Sequence, residues 1–274
     1  MHCSVCSSNI SNLVIDFSQI PLCDNLGENK EIAARVPTYE VKIKVCGVCG
    51  HSELTEKAPE EIIYANYLYR TSSSPTLKDH FYEYSNYLFN LVKETDDNNN
   101  FSFLDIGGND GTLAKFMFEK GFKSYVIDPS PAINYCPEEI ITINDYLNID
   151  SAKEIKKKNG SFKFISTNNC MANIRDLHSF AKAISYLLED DGILVVETGN
   201  IRTQLNSKTA EMLNHEHYHY FSINSLNYLF KDYGISFFDA LDINNKGGSI
   251  RYIGKKTRKD IANSNKSKLT EELP

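Results

Sequence analysis

The sequence predicts an α/β protein, a doubly wound sheet preceded by a small cysteine-bound ribbon. Three observations carry that expectation. Residues 103–111 read FLDIGGNDG, a short apolar run that breaks into a glycine turn, and the next apolar run, SYVID, ends on Asp128. From residue 101 onward, short β-rich runs alternate with helical stretches, the pattern of parallel strands joined by right-handed crossovers. Near the N-terminus, Cys3 and Cys6 form one C-x-x-C pair, and Cys46 and Cys49 form another.

The ribbon comes first, over residues 1–56. Two C-x-x-C knuckles brought together by a hairpin supply four thiolates at tetrahedral geometry, which suits a structural Zn²⁺ and leaves no coordination position open for chemistry. The intervening chain fits: NLVIDF and YEVKIKV are apolar and β-rich, with Pro21 and Gly27 punctuating the connection. Redox C-x-x-C motifs or simply buried thiols are the competing reading. Cys23, Cys136 and Cys170 lack such spacing and are expected to be small buried hydrophobes.

A helical connection follows over residues 57–100. In SPTLKDHFYEYSNYLFNLVKE, Leu77, Phe81, Tyr84, Leu88 and Leu91 recur at steps of three and four, so one helix buries that stripe while Lys78, Glu83 and Lys93 face water. TDDNNN, residues 95–100, is a polar connection into the first core strand.

The sheet is expected over residues 101–256. Strand FLDI leads to helix TLAKFMFEK, stopped by Gly121, and SYVID leads to a proline-rich turn. IITI, FKFIS, a helix containing AKAISYLL, and ILVVE complete five strands. FSINSLNYLFKDYG reads as a helix with Ser222 as its N-cap and Gly234 just past its end. ISFFDALDI and SIRYIG finish as an antiparallel pair, and residues 257–274 form a polar tail.

The glycine turn is where a ligand is expected. Gly107, Gly108 and Gly111 lack the Cβ that keeps backbone away from a bound molecule, and an acid at the tip of the second strand, Asp128, can accept from both hydroxyls of an adenosine ribose. A nicotinamide fingerprint wants G-x-G-x-x-G after the strand. Here Asp105 lies in the strand end and Asn109 stands at the middle glycine's place, which is closer to the D-x-G-x-x-x-G of S-adenosylmethionine-dependent methyltransferases.

Composition narrows the partners. A formal charge of −7 over 274 residues argues against a phosphate-backbone binder and for a small-molecule acceptor, with no nucleic acid. No run approaches the roughly 18 apolar residues of a membrane span, and the N-terminus has no apolar signal core, so a cytoplasmic protein without a membrane partner is expected. Oligomeric state is left open.

Several segments together carry a family resemblance. The two C-x-x-C pairs, YANYLYRTSSS, DIGGNDG, NNCMANIRDL, NHEHYHYFS and KGGSIR occur in the order found in sugar C-methyltransferases that act on nucleotide-linked deoxy-keto-sugars. The chain resembles that family over nearly its whole length. The resemblance implies a doubly wound Rossmann-like class I methyltransferase sheet, S-adenosylmethionine as cofactor, zinc in the N-terminal ribbon and a nucleotide-linked sugar as acceptor. The family's C-terminal domain, which helps hold the nucleotide sugar, has no counterpart here, so a short form is expected. Carried over by position, the resemblance places the cofactor against Asp105, Gly107, Asn109 and Gly111 with its ribose on Asp128. It places acceptor-side groups at Tyr69, Asn169, Glu216 and His217.

The departures bear on the chemistry. The family has a histidine where this chain has Asn173, a tyrosine at Asn214 and, often, a histidine at Lys246. C-methylation needs a base near a carbon acid and donors that hold the enolate oxygen. O-methylation needs one base beside a hydroxyl and in-line placement of that oxygen. His217, oriented by a neighbouring Glu, is expected to be that base, with a slight preference for an oxygen acceptor. His215, His217 and His219 alternate along NHEHYHYFS, so a metal on one face of an extended segment is a competing reading. Zinc-ribbon RNA methyltransferases and a non-catalytic cofactor-binding module are the further alternatives. The concentrated cations Lys255, Lys256, Arg258 and Lys259 are explained as well by a solvated tail as by an RNA contact.

Overall fold

The computed structural model describes residues 1–22, 28–58, 69–93, 101–210, 212–245 and 247–257. Gly27, Cys23, most of YANYLYR, the TDDNNN connection, Lys246 and the tail from residue 258 lie outside the described residues.

Seven strands make the main sheet: β4 (Ser102–Ile106), β5 (Lys123–Ile127), β6 (Ile141–Ile143), β7 (Phe162–Asn168), β8 (Leu188–Gly199), β10 (Ile235–Ile243) and β11 (Ser249–Lys256). Their order is β10-β11-β8-β7-β4-β5-β6. The five strands read from the sequence are parallel, and β11 inserts antiparallel against β8 with β10 beyond it. The order reverses at β4, whose two neighbours are β5 and β7. That switch point opens a crevice at the strands' carboxyl ends.

Alternation along β4 shows why the sheet is covered on both faces. Phe103 packs with Tyr84 and Leu88 of helix α2 (Pro75–Lys93) and with Leu113 and Met117 of α3 (Thr112–Glu119). Leu104 and Ile106 face the other way, onto Ile155 of α4 (Ile149–Asn159), Phe180 and Ile184 of α5 (Leu177–Leu187) and Leu226 of α7 (Ile223–Phe230). The expected α2 stripe is the buried one, and Lys78 and Glu83 are exposed. Ser222 caps α7 through a reciprocal pair with Ser225, and Gly234 adopts φ +72 beyond the helix. Two helices of the main sheet domain went unread in the sequence. Helix α4 is lysine-rich and weakly apolar, but Asn148 and Ser151 close a capping box at its start. Helix α6 (Ile201–Ser207) is short and rests on an Asn200 cap.

The N-terminal sheet runs β1-β2-β3-β9, with β1 (Asn12–Pro21), β2 (Thr38–Val45), β3 (Ser52–Leu54) and β9 (His219–Tyr220). A short helix, α1 (Lys30–Ala33), lies between β1 and β2. The sheet closes on a strand from far along the chain: Ser52 pairs with Tyr220 and Glu53 with His219. Its core is correspondingly mixed, with Val41, Ile43 and Leu54 packed against Leu213, Tyr218 and Tyr220. Among the described residues, no helix is long and apolar enough to cross a membrane.

Candidate active site

A cavity of about 580 Å³ sits at the switch point. Asp105, Gly107, Gly108, Asn109, Asp128, Tyr69, Asn169, Glu216 and His217 all line it. Of the residues expected to hold a cofactor, Gly111 alone is not in the lining. It opens α3 at φ +72, and a Cβ there would meet Cys136 Sγ at 2.9 Å. Its φ fits the turn that leads into the helix.

The turn is tied to its surroundings at each step. Gly107 has φ +68, and a Cβ would lie 2.6 Å from Cys170 Sγ, so only glycine lets the loop pass over β7's end. The Asn109 amide donates to Asp128 Oδ2 and the Ser130 amide to Oδ1, each at 2.8 Å. Two backbone donors thus fix the Asp128 carboxylate while each oxygen keeps a lone pair for a hydroxyl. The Asn109 side chain reaches the other way, accepting from the Thr71 amide at 3.0 Å and donating to the Tyr69 carbonyl at 3.0 Å. Asp110 accepts from the Ser72 amide at 2.8 Å. The segment carrying Tyr69 is thereby clamped onto the loop. Burial, and then the charge of Asp110, holds the Tyr69 hydroxyl above its usual range.

Asp105 is fully buried and accepts from Ser166 Oγ at 2.7 Å and Asn168 Nδ2 at 3.2 Å. Burial pushes its carboxyl up to about 7, with the nearby Asp128 adding to the rise and the two donors opposing it. Because Asn168 turns its amide nitrogen to Asp105, its Oδ1 is left buried with no partner; the same is true of Asn169 Oδ1 and Asn173 Oδ1. All three residues line the cavity, while these particular oxygens are themselves sealed from solvent. Asn169 also holds φ 51, an uncommon conformation for a side-chain-bearing residue. The cavity, the Gly107 turn and the braced Asp128 fit an adenosine cofactor.

On the opposite wall, residues 212–217 form a turn rather than the extended run the histidine alternation suggested. That separates the three histidines. His215 Nε2 lies 3.1 Å from the Tyr39 carbonyl, and His219 Nδ1 lies 3.0 Å from His51 Nε2. His217 Nδ1 lies 2.9 Å from the Met212 carbonyl. A shared His215, His217 and His219 metal site is therefore excluded by the fold. Since a carbonyl can only accept, Nδ1 of His217 carries the proton and Nε2 is the basic nitrogen. Glu216 is oriented by its own amide, which donates to Asn214 Oδ1 at 3.0 Å.

Behind this site, Glu197 joins His80 (2.6 Å) to Arg251 (2.7 and 2.8 Å), and the Glu197 carbonyl accepts from the Asn169 amide at 2.8 Å. The guanidinium stacks 3.6 Å over the Tyr84 ring. This buried triad pins α2, β8 and β11 beneath Asn169, and no spacing in the sequence marks it.

The four cysteines of the ribbon converge, with Sγ atoms within 4.8 Å of one another, Cys3 3.6 Å from Cys49 and Cys6 3.5 Å from Cys46. Burial pushes the Cys3 thiol up to about 12 and raises that of Cys49 as well. Thiols so placed ionise on binding a cation, and four converging soft donors fit Zn²⁺. Cys136 and Cys170 are partly buried against the glycine loop, and Cys170 lines the cavity. The sequence reading overlooked His51 and Glu53, although His51 follows directly on the second knuckle.

Comparisons with known proteins agree with this geometry. A methyltransferase-domain family model matches residues 77–237, and a putative zinc-binding-domain model matches residues 3–64. The chain is 24% identical over 250 residues to the C-methyltransferase NovU of Streptomyces niveus, covering 90% of this chain and 59% of that one. It thus spans less than two thirds of that relative's length. The fold is similar to magnesium protoporphyrin IX methyltransferase from Synechocystis (TM-score 0.51, 11% identity, 67% of this chain and 88% of that one). It is also similar to an S-adenosylmethionine-dependent methyltransferase from Clostridium acetobutylicum (TM-score 0.50, 14% identity, 65% and 92%).

Proposed function

Because the chain belongs to the methyltransferase-domain family and is an S-adenosylmethionine-dependent methyltransferase with a zinc-binding N-terminal region, we propose that it methylates an activated, nucleotide-linked sugar or a related surface-polysaccharide intermediate, with oxygen favoured as the acceptor atom. The observation that carries this reading is the acceptor wall: His217, with its Nδ1 committed to the Met212 carbonyl, lines the same cavity as Tyr69, Asn169 and Glu216.

The bound cofactor supplies an electrophilic methyl on a positively charged sulfur. The chain's own residues do the rest. Asp128 accepts from the ribose hydroxyls, Gly107 and Gly108 let backbone approach, and Asn109 locks the loop to the Tyr69 segment. Asn169 and Tyr69 hold the acceptor, and His217 Nε2 takes the proton from the attacking hydroxyl. Glu216, beside it, supports the imidazolium that forms.

Carbon transfer to a nucleotide-linked keto-deoxysugar is the second reading, favoured by the similarity to NovU along 90% of this chain. The two differ in what they ask of the wall. Enolate formation wants donors around the carbonyl oxygen, and this chain has Asn173 and Asn214 at the positions where the similar sugar C-methyltransferases have histidine and tyrosine. The test is a methylation screen of the full chain against nucleotide-linked sugars, with the new methyl located by mass spectrometry and NMR. A methyl on oxygen is expected. A methyl on carbon selects the second reading, and transfer only to RNA overturns both.

A further inference from the structure

The buried seam between β3 and β9 holds a second cluster of metal-binding side chains, apart from the cysteines. His51 immediately precedes β3, two residues before Glu53, and Glu53 pairs directly with His219 across the ladder. All three are essentially inaccessible to solvent, at 0%, 1% and 0% exposure. One donor atom from each lies within 4.8 Å of the others. We propose that His51, Glu53 and His219 form a second metal site, selective for a divalent ion of the zinc type and distinct from the four-cysteine centre.

Distances support it. His51 Nε2 and His219 Nδ1 are 3.0 Å apart, and His219 Nδ1 and a Glu53 oxygen are 3.9 Å apart. Donors on one tetrahedral zinc at about 2.0–2.2 Å stand about 3.3–3.6 Å apart, between the two separations found here. A carboxylate and two imidazoles in a dry interior are also an expensive arrangement without a cation, and the Glu53 carboxylate is held in place by the Ser4 amide at 2.9 Å and by the Ser4 hydroxyl. Ser4 lies between Cys3 and Cys6, so the carboxylate is braced by the first knuckle.

His51 Nδ1 is buried with no hydrogen-bond partner, and its ring packs against those of His219 and Phe221, each with centroids 5.1 Å apart. Lys57 Nζ lies 3.2 Å from His219 Nε2, the ring nitrogen opposite the Nδ1 donor. Imidazole and carboxylate donors select a zinc-type ion over calcium or magnesium, and their chemistry sets them apart from the thiolates. The site would fasten β9, which begins two residues after His217, to the ribbon.

Cobalt substitution distinguishes the two sites. The full chain, stripped and titrated with Co²⁺, is expected to take up two equivalents. One gives the intense thiolate-to-cobalt charge-transfer band, and the other gives only weak visible absorption from nitrogen and oxygen ligands. Glu53→Gln and His219→Ala should each fall from two equivalents to one with the thiolate band unchanged. Should His219→Ala lose the thiolate band too, Glu53→Gln, which keeps the side chain's size beside Ser4, decides. One equivalent in the unaltered chain, or two retained in Glu53→Gln, overturns the proposal.

Discussion

On one side of the cavity, Asp105, Gly107, Gly108 and Asn109 lie within five consecutive residues and Asp128 ends the adjacent strand. On the other, Tyr69, Asn169, Glu216 and His217 come from three distant segments, and what holds them in place comes from further still. Tyr69 is clamped by Asn109, Asn169 by Glu197, and the turn bearing His217 runs directly into β9 on the ribbon's sheet. One side is a strand-turn-helix unit whose geometry is set locally. The other is an assembly that depends on the ribbon, and perturbing the ribbon should therefore damage the two sides unequally.

The largest expected effect follows from that dependence. Cys46→Ser should lose the zinc and unfold the ribbon, because structural zinc binding is coupled to folding. With β3 gone, β9 loses its partner, so methyl transfer should fall to background while S-adenosylhomocysteine affinity, measured by calorimetry, changes far less. Equal loss of both would mean that the sheet does not stand without the ribbon. Next comes His217→Asn, for which transfer should drop roughly 10²- to 10⁴-fold, the usual span for a lost general base. Cofactor affinity should hold; a parallel loss would make the residue a packing element.

Asp128→Ala tests the local side. Removing the carboxylate frees the Asn109 and Ser130 amides and deletes the ribose acceptor, which should weaken S-adenosylhomocysteine binding about 10- to 100-fold. Unchanged affinity would move the cofactor elsewhere. The smallest effect is a pH dependence. Asp105 has a folded-state value raised to about 7, so between about pH 4 and about pH 7 the native state holds a proton that the unfolded chain has released. Its contribution to stability therefore declines as pH rises through that window and is level above it. Asp105→Asn should flatten the corresponding part of the melting-temperature profile, and a profile identical to that of the unaltered chain would show that the carboxyl ionises normally.

The strands of the main sheet, the α2 stripe and the Ser222 cap were legible because each depends on residues two to four positions apart. The terms that set them, side-chain alternation, helical periodicity and capping, act over that range. Helix α4 was missed because KEIKKKN offers too little apolar signal, although its Asn148 cap was available to read. The histidine alternation at 215–219 misled for a related reason: it presumed an extended backbone, and the chain turns there.

By itself, the sequence determined the glycine turn with its acid, the spacing of the two cysteine pairs and the alternation that winds the sheet, since all three are short-range patterns with one stable geometry. Only the tertiary structure decided that His51, Glu53 and His219 meet, that His217 is oriented by the Met212 carbonyl and that Glu197 lies beneath Asn169 between His80 and Arg251. Those contacts join residues from separate elements, up to 168 positions apart, or arise within an irregular turn. They follow from how the ribbon and the sheet pack, which no local periodicity encodes.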